Sequence, residues 1–255
     1  MAMRFASLGS GSRGNALIVE GGDACVMLDC GFPIKQTIER LGRIGLAPED
    51  VDAILVTHEH DDHVGGVARF AARMGIPVYA TCGTNAAMGA KFDKVRVECF
   101  DPHTAFEIRG LKIDPFPVPH DAREPAQMVF DDGADRLGVL TDVGIATPHI
   151  LQMLAGCSAL MLECNYDERM LREGPYPPSL KNRIGSRFGH MRNEDAADLL
   201  SQLDRSRLKH VVAAHLSETN NTPALARAVI ASALGGAPND VLVALQDEGI
   251  AWITV

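Results

Sequence analysis

Short apolar runs of strand length recur along the chain, at 16–19 (Ala-Leu-Ile-Val), 25–28 (Cys-Val-Met-Leu), 53–56 (Ala-Ile-Leu-Val), 137–140 (Leu-Gly-Val-Leu), 211–214 (Val-Val-Ala-Ala), 241–245 and 250–255. Between several of them, apolar residues return with helical spacing over 34–45, 64–74, 147–155, 193–204 and 222–234. The last of these opens with Thr222, whose hydroxyl can accept a bond from a free backbone N–H. Pro223 follows, and its missing N–H costs nothing at the first helical position. Strands and helices interleaved in this way predict an α/β protein. The proline-dense stretches 115–125 and 175–178 read as shaped loops. Nothing repeats or thins into low complexity, so a single domain over 1–255 is expected.

Composition narrows the class. With 46% hydrophobic and 22% charged residues in 255, the balance is that of a globular chain. No apolar run approaches the ~20 residues a membrane helix needs. The start, Met1-Ala2-Met3-Arg4-Phe5-Ala6, lacks the basic-then-apolar pattern of an export signal. The six cysteines include no Cys-x-x-Cys pair and read as reduced thiols. These features predict a cytoplasmic protein without membrane attachment. They leave the oligomeric state open. The net charge of −9 argues against broad coating of nucleic acid, but it allows a local basic patch.

The chemistry concentrates in Ile54-Leu55-Val56-Thr57-His58-Glu59-His60-Asp61-Asp62-His63, where an apolar strand runs straight into three histidines and an aspartate. Imidazole nitrogen and carboxylate oxygen are the ligands a borderline cation such as zinc takes. In a loop, His58 and His60 can point to one ion while Asp62 and His63 turn toward a second. The helical pattern His-Glu-x-x-His does not fit, because Asp62 stands where its second histidine should be. A polar turn capping the next helix, through Thr57 or Asp62, is the plain alternative. Three more candidates share the local context. His120 follows Phe116-Pro117-Val118-Pro119, Asp142 follows Leu137-Gly138-Val139-Leu140-Thr141, and His215 follows Val211-Val212-Ala213-Ala214. Each ends a strand-like run, where open α/β architectures place their sites. Five histidines and two aspartates suffice for two ions sharing one carboxylate, with positions left for water and substrate.

This pattern, His58-x-His60-x-Asp62-His63 followed by His120, Asp142 and His215, resembles the metallo-β-lactamase-fold hydrolases. The resemblance implies a four-layer αβ/βα sandwich of two stacked mixed β-sheets with outer helices. It implies that His58, His60 and His120 hold one metal, that Asp62, His63 and His215 hold the other, and that Asp142 bridges. Asp29, ending Val26-Met27-Leu28, matches an aspartate of the family that supports the ligand loops. Exported β-lactamases of the fold lack a histidine after the aspartate, so His63 disfavours antibiotic hydrolysis. Asp142 and His215 lie 73 positions apart, too close for the cap domain that some nuclease members insert there.

The chain is further similar to the YycJ/WalJ-like subgroup, associated with 5′→3′ exonuclease activity on DNA. The matching stretches are Leu8-Gly9-Ser10-Gly11-Ser12-Arg13-Gly14-Asn15, Leu162-Glu163-Cys164-Asn165-Tyr166-Asp167, Tyr176-Pro177-x-x-Leu180-Lys181-x-Arg183-Ile184, Gly189-His190, His215-Leu216-Ser217 and Asn220-Asn221. One departure follows Gly189-His190, where Met191-Arg192 replaces the usual Leu-Ser. The phosphodiesterase branches pair a glutamate with a histidine at the positions of Glu163 and His190. A histidine held by a carboxylate has a raised pKa and can protonate a departing oxygen.

Gly9-Ser10-Gly11-Ser12-Arg13-Gly14 satisfies Gly-x-Gly-x-x-Gly, but a strand follows it rather than a helix, so no dinucleotide site is expected. Asn15 and the loop's N–H groups remain available to a substrate. Between Arg169 and Arg192 stand six basic residues (Arg169, Arg172, Lys181, Arg183, Arg187, Arg192) against Glu173 alone. In an acidic chain this run is where a phosphate backbone is expected, with Tyr166 and Tyr176 as stacking partners.

The expected function is therefore hydrolysis of a phosphodiester, in DNA, by metal-activated hydroxide, with Asp62, His190 and Glu163 catalytic. Zinc suits the donor set best, and manganese or iron are also accepted. Lys181, Arg183, Arg187 and Arg192 are expected to position the DNA backbone. Two rivals stand beside this expectation: hydrolysis of thioesters or lactones by the same centre, and a regulatory module whose metals are purely structural.

Overall fold

The computed structural model describes residues 2–255. The first half of the chain builds a seven-stranded sheet from β1 (Arg4–Gly9), β2 (Ala16–Gly21), β3 (Ala24–Leu28), β4 (Ala53–Leu55), β5 (Val78–Thr81) and β6 (Val97–Phe100). The second half builds another seven-stranded sheet from β7 (Phe106–Ile108), β8 (Leu111–Pro117), β9 (Ala126–Asp131), β10 (Arg136–Leu140), β11 (Ala159–Glu163), β12 (His210–Ala214) and β13 (Leu242–Val243). The last strand, β14 (Ile250–Thr254), returns to pair with β1, so the orders are β14-β1-β2-β3-β4-β5-β6 and β13-β12-β11-β10-β9-β8-β7. Each sheet is antiparallel at one side and parallel at the other.

Alternation along the strands decides the layers, because successive side chains point to opposite faces. In β3, Ala24, Val26 and Leu28 face the second sheet, while Cys25 and Met27 face outward. In β11, Ala159 and Met161 join the same inter-sheet core, and Leu160 and Leu162 turn the other way. Both faces of these strands are thus buried, so they read as unbroken apolar runs. Helices Ile34–Arg43 and Val67–Met74 cover the outer face of the first sheet with Leu41, Val67 and Phe70. Helices Pro148–Leu154, Asn193–Gln202 and Pro223–Leu234 cover the second with Ile150, Leu199 and Ile230. The result is the four-layer αβ/βα sandwich that the resemblance implies. Thr222 caps its helix as expected, its Oγ1 accepting from the Leu225 N–H at 3.3 Å, with Pro223 at the first position.

Two expectations are corrected. The stretch 115–125 begins as strand, since Pro115 and Pro117 lie in β8. The short β7 pairs only with Leu111–Ile113 of β8, so beyond Ile113 that edge of the ladder is open and a missing N–H breaks nothing there. The prolines at 177 and 178 open a helix, Pro178–Ile184, rather than forming a plain loop.

Candidate metal centre

The C-terminal ends of β3, β4, β8, β10, β11 and β12 meet at one rim, where the two sheets face each other, and every expected ligand sits just past one of them. His58, His60 and His63 follow β4, with Asp62 and His63 on the short helix Asp61–Val64. His120 follows β8, Asp142 follows β10, Glu163 ends β11 and His215 follows β12. Donor atoms from these loops come within 4.8 Å of one another in overlapping groups: His58, His60 and His120; His58, His63 and Asp142; Asp62, His63 and His215.

Hydrogen bonds on the far sides of the rings decide which nitrogens are left for a cation. Thr57 has one hydroxyl hydrogen and gives it to Asp29 Oδ2 at 2.8 Å, so His58 Nδ1–H donates to Thr57 Oγ1 at 2.9 Å. His58 Nε2 is then unprotonated, and it is buried without a partner. His63 Nδ1–H donates to Asp29 Oδ2 (2.7 Å), His120 Nδ1–H to the Gly189 carbonyl (3.0 Å) and His215 Nδ1–H to Glu163 Oε1 (3.0 Å). In each case Nε2 is the nitrogen turned toward the other donors, and that of His215 is likewise buried without a partner. Backing of this kind fixes tautomer and ring orientation at metal sites.

The spacing of the free atoms fits the same purpose. Two ligands of one tetrahedral zinc, each ~2.0–2.1 Å from it, lie about 3.4 Å apart. His120 Nε2 is 3.3 Å from His60 Nδ1, His63 Nε2 is 3.1 Å from Asp142 Oδ2, and His215 Nε2 is 3.5 Å from Asp62 Oδ2. Burial lowers the pKa of His58 well below the ordinary histidine value, with His63 adding to the effect, which keeps the Nε2 lone pair available. For Asp142, burial pushes the pKa upward, but His215 and His63 outweigh it and the carboxyl stays ionised. The donor set therefore suits divalent cations, and two of them can be held by the overlapping groups.

The backbone bears the cost of this aim. Asp29, Asp142 and His215 adopt left-handed backbone angles, with φ of 59°, 51° and 53°, and each turns sharply at a strand exit. Aspartate and histidine tolerate that region better than most side chains, yet such residues still cost of order 1–3 kcal/mol each. A second constraint holds the ligand loop. The Asp62 carbonyl comes so close to Gly31 that a Cβ there would sit 1.8 Å from it. Asn15 N–H donates to the same carbonyl at 2.8 Å, and Cys30 N–H donates to the His63 carbonyl at 2.8 Å. Neither Gly31 nor Thr57 was singled out as functional from the sequence. The signals were present, as a glycine after Asp29 and a hydroxyl directly before His58.

Glu163 does more than the sequence implies. Its Oε1 accepts from both His190 Nδ1 (2.8 Å) and His215 Nδ1 (3.0 Å), while Oε2 accepts from the backbone N–H of Val143 (2.8 Å) and Met191 (3.3 Å). Burial drives the His190 pKa down, but Glu163 and then Asp142 outweigh it, and the net shift is upward.

The expected substrate contacts divide. Arg183 lines a cleft of about 240 Å³ beside His190 with Tyr176, and its Nε donates to Asp121 Oδ2 at 2.6 Å. Arg187 is exposed on the neighbouring loop. Arg192 is corrected: its guanidinium is surrounded by Glu168, Glu194 and Asp195, so its charge is already matched. Lys181 donates to the Arg172 carbonyl at the end of helix Glu168–Glu173. Asn15 is 93% buried and donates toward Asp62 Oδ2 (3.3 Å) and His63 Nε2 (3.1 Å), so it braces the ligand loop rather than facing solvent. Tyr166 is buried, with its pKa pushed up to about 12, and has no face free for stacking.

Comparison with known proteins adds a second line of evidence. The model of the Beta-lactamase superfamily domain matches residues 25–215. An exodeoxyribonuclease YycJ of Bacillus anthracis is 35% identical over 237 residues, covering 92% of this chain and 90% of that protein. An exodeoxyribonuclease WalJ of Streptococcus pneumoniae serotype 2 is 32% identical over 242 residues, covering 93% and 90%. The crystal structure of the metallo-β-lactamase fold protein YhfI from Bacillus subtilis superposes with a TM-score of 0.77 over 99% of both chains at 16% identity, a likeness of fold.

Proposed function

The chain belongs to the metallo-β-lactamase superfamily, in its YycJ/WalJ-like group, and on that footing we propose that it is a two-metal exodeoxyribonuclease shortening DNA from the 5′ end. The observation that carries this reading is the convergence of seven His and Asp donors on one rim, four of the histidines with Nδ1 tied back and Nε2 turned toward the other donors. His58, His60 and His120 would hold one cation, Asp62, His63 and His215 the other, and Asp142 would serve both. Zinc is the metal these imidazoles suit best, with manganese or iron as substitutes. When bound, the two cations supply Lewis acidity, lowering the pKa of water toward ~7 and neutralising charge on the phosphoryl oxygens.

The chain's own groups do the rest. Asp62 is ionised, with a side chain 25% exposed, and its carboxylate orients the attacking water. The Glu163 carboxylate favours the charged form of His190, whose Nε2–H serves the departing oxygen. Arg183 and Arg187 meet the phosphates on either side. Residues 1–255 act as one catalytic unit without an inserted cap, working in the cytoplasm. No helix among the described residues is long and apolar enough to cross a membrane.

Metal analysis of the purified protein, followed by degradation of end-labelled DNA with each metal restored, tests the proposal. Two equivalents of cation and shortening from the 5′ end are expected, with Asp62→Ala folded but inactive. An active Asp62→Ala protein overturns the ligand assignment. Turnover of thioesters or lactones without DNA cleavage overturns the substrate.

A further inference from the structure

Three large apolar side chains are conspicuously exposed among the described residues, and Phe188, at 58%, is the one aromatic. A single exposed apolar residue needs no explanation by itself. The setting of this one does. The Phe188 carbonyl accepts from the Asp121 N–H at 2.9 Å, and the next carbonyl, of Gly189, accepts from His120 Nδ1 at 3.0 Å. Gly189 N–H donates to Ser186 O at 3.0 Å and His190 N–H to Ile184 O at 2.8 Å. On the other side, Gly144 packs so closely under the loop that a Cβ there would meet the Arg187 carbonyl at 2.3 Å. The loop carrying Phe188 is thus gripped by the two segments that present His120 and Asp142. The residue is held beside the donor segments and is more than half exposed.

We infer that Phe188 is a positioning residue that stacks on a nucleobase next to the scissile phosphate. The inference rests on the exodeoxyribonuclease reading above. Phe188 stands two residues before His190, at most about 7 Å of chain, or roughly two stacked base steps of 3.4 Å. Arg187 beside it is exposed, and Arg183, which lines the cleft next to His190 with its Nε on Asp121, keeps its terminal guanidinium nitrogens for a neighbouring backbone phosphate. An exposed aromatic face flanked by cations is how proteins hold single strands without reading sequence, because every base has a π face. That suits an enzyme which must remove whichever nucleotide comes next.

The test uses the metal-loaded, full-length protein and two kinds of DNA: ordinary ends, and ends carrying an abasic tetrahydrofuran residue at the first or second position. Removing one base should cost the wild-type protein about 5- to 150-fold in kcat/KM at one of these positions, the range of a single base-on-aromatic stack. Phe188→Ala should lose the same factor on ordinary DNA and nothing more on the abasic end, and Phe188→Trp should retain activity. Equal rates for Phe188→Ala and wild type on ordinary DNA overturn the inference, as does a loss that multiplies with the abasic one. A change in the solution mass of Phe188→Ala also overturns it, by making the ring a contact between copies. Wild-type protein that leaves DNA intact sinks the nuclease reading itself, and this inference with it.

Discussion

Replacing Asp29 with Asn probes how far the outer hydrogen bonds hold the ligands. Asp29 is buried and accepts three bonds, from Thr57 N–H (2.9 Å), Thr57 Oγ1 (2.8 Å) and His63 Nδ1 (2.7 Å). Asparagine preserves the first through its oxygen but presents an NH2 group where Oδ2 accepted the other two. The Thr57 hydroxyl can rotate to accept, whereas His63 can satisfy the new donor only by moving its hydrogen to Nε2. That is the nitrogen 3.1 Å from Asp142 Oδ2, so the change blocks a ligand without touching one. A hydrogen bond to a charged group contributes about 1.5–3 kcal/mol. For a chain of this size, with about 2–4 °C per kcal/mol, the melting point should fall by about 3–12 °C. Zinc affinity, measured by competition with a chromogenic chelator, should fall about 10- to 100-fold, and excess zinc should recover part of the activity. Unchanged zinc affinity in a folded Asp29→Asn protein would refute the reasoning, because it would mean that His63 needs no partner behind it.

Other outcomes follow from the same contacts. Gly31→Ala should abolish folding or hydrolysis, since its Cβ would strike the Asp62 carbonyl. Gly42→Ala, on a helix with nothing within 4 Å, should stabilise by about 0.5–1 kcal/mol in a denaturant titration. Arg183→Ala should lower the slope of log K against log salt for DNA binding by about 1. Arg192→Ala should leave that slope alone, because its charge is matched by three carboxylates. Glu163→Gln should lower kcat on DNA by more than tenfold with little change in KM, and should weaken zinc binding as well, since His190 and His215 lean on the same oxygen. A loss confined to KM would argue against that shared role.

The candidate donors were legible because each stands directly after an apolar run, and the strands bring their C-terminal ends to one rim. Seven strands (β2, β3, β4, β10, β12, β13 and β14) were legible to within a residue or two from their apolar runs, whereas β1, β5, β6, β7, β9 and β11 were not read, although β9 and β11 are buried through the core. Less was visible where composition misleads. β8 carries two prolines, and only the shortness of β7 makes them harmless. The helix Pro178–Ile184 opens with Pro178 at its first position, a signal available at 222–223 and equally present here. Arg192 looked free because its partners, Glu168, Glu194 and Asp195, lie outside the basic run or on its far side in the fold. The approach of Gly31 to Asp62 is a tertiary fact that no local pattern encodes.

The three left-handed residues at the strand exits have a further consequence. Asp29, Asp142 and His215 together oppose folding by roughly 3–9 kcal/mol, a sizeable share of the 5–15 kcal/mol by which domains are ordinarily stable. Glycine would relax the backbone at each, but at Asp29 it would also strip three buried hydrogen bonds and at His215 the bond to Glu163, whereas the Asp142 Oδ2 is buried without a hydrogen-bond partner. A lineage freed from selection for hydrolysis should therefore drift to glycine first at position 142, and an aspartate kept there marks a descendant still at work.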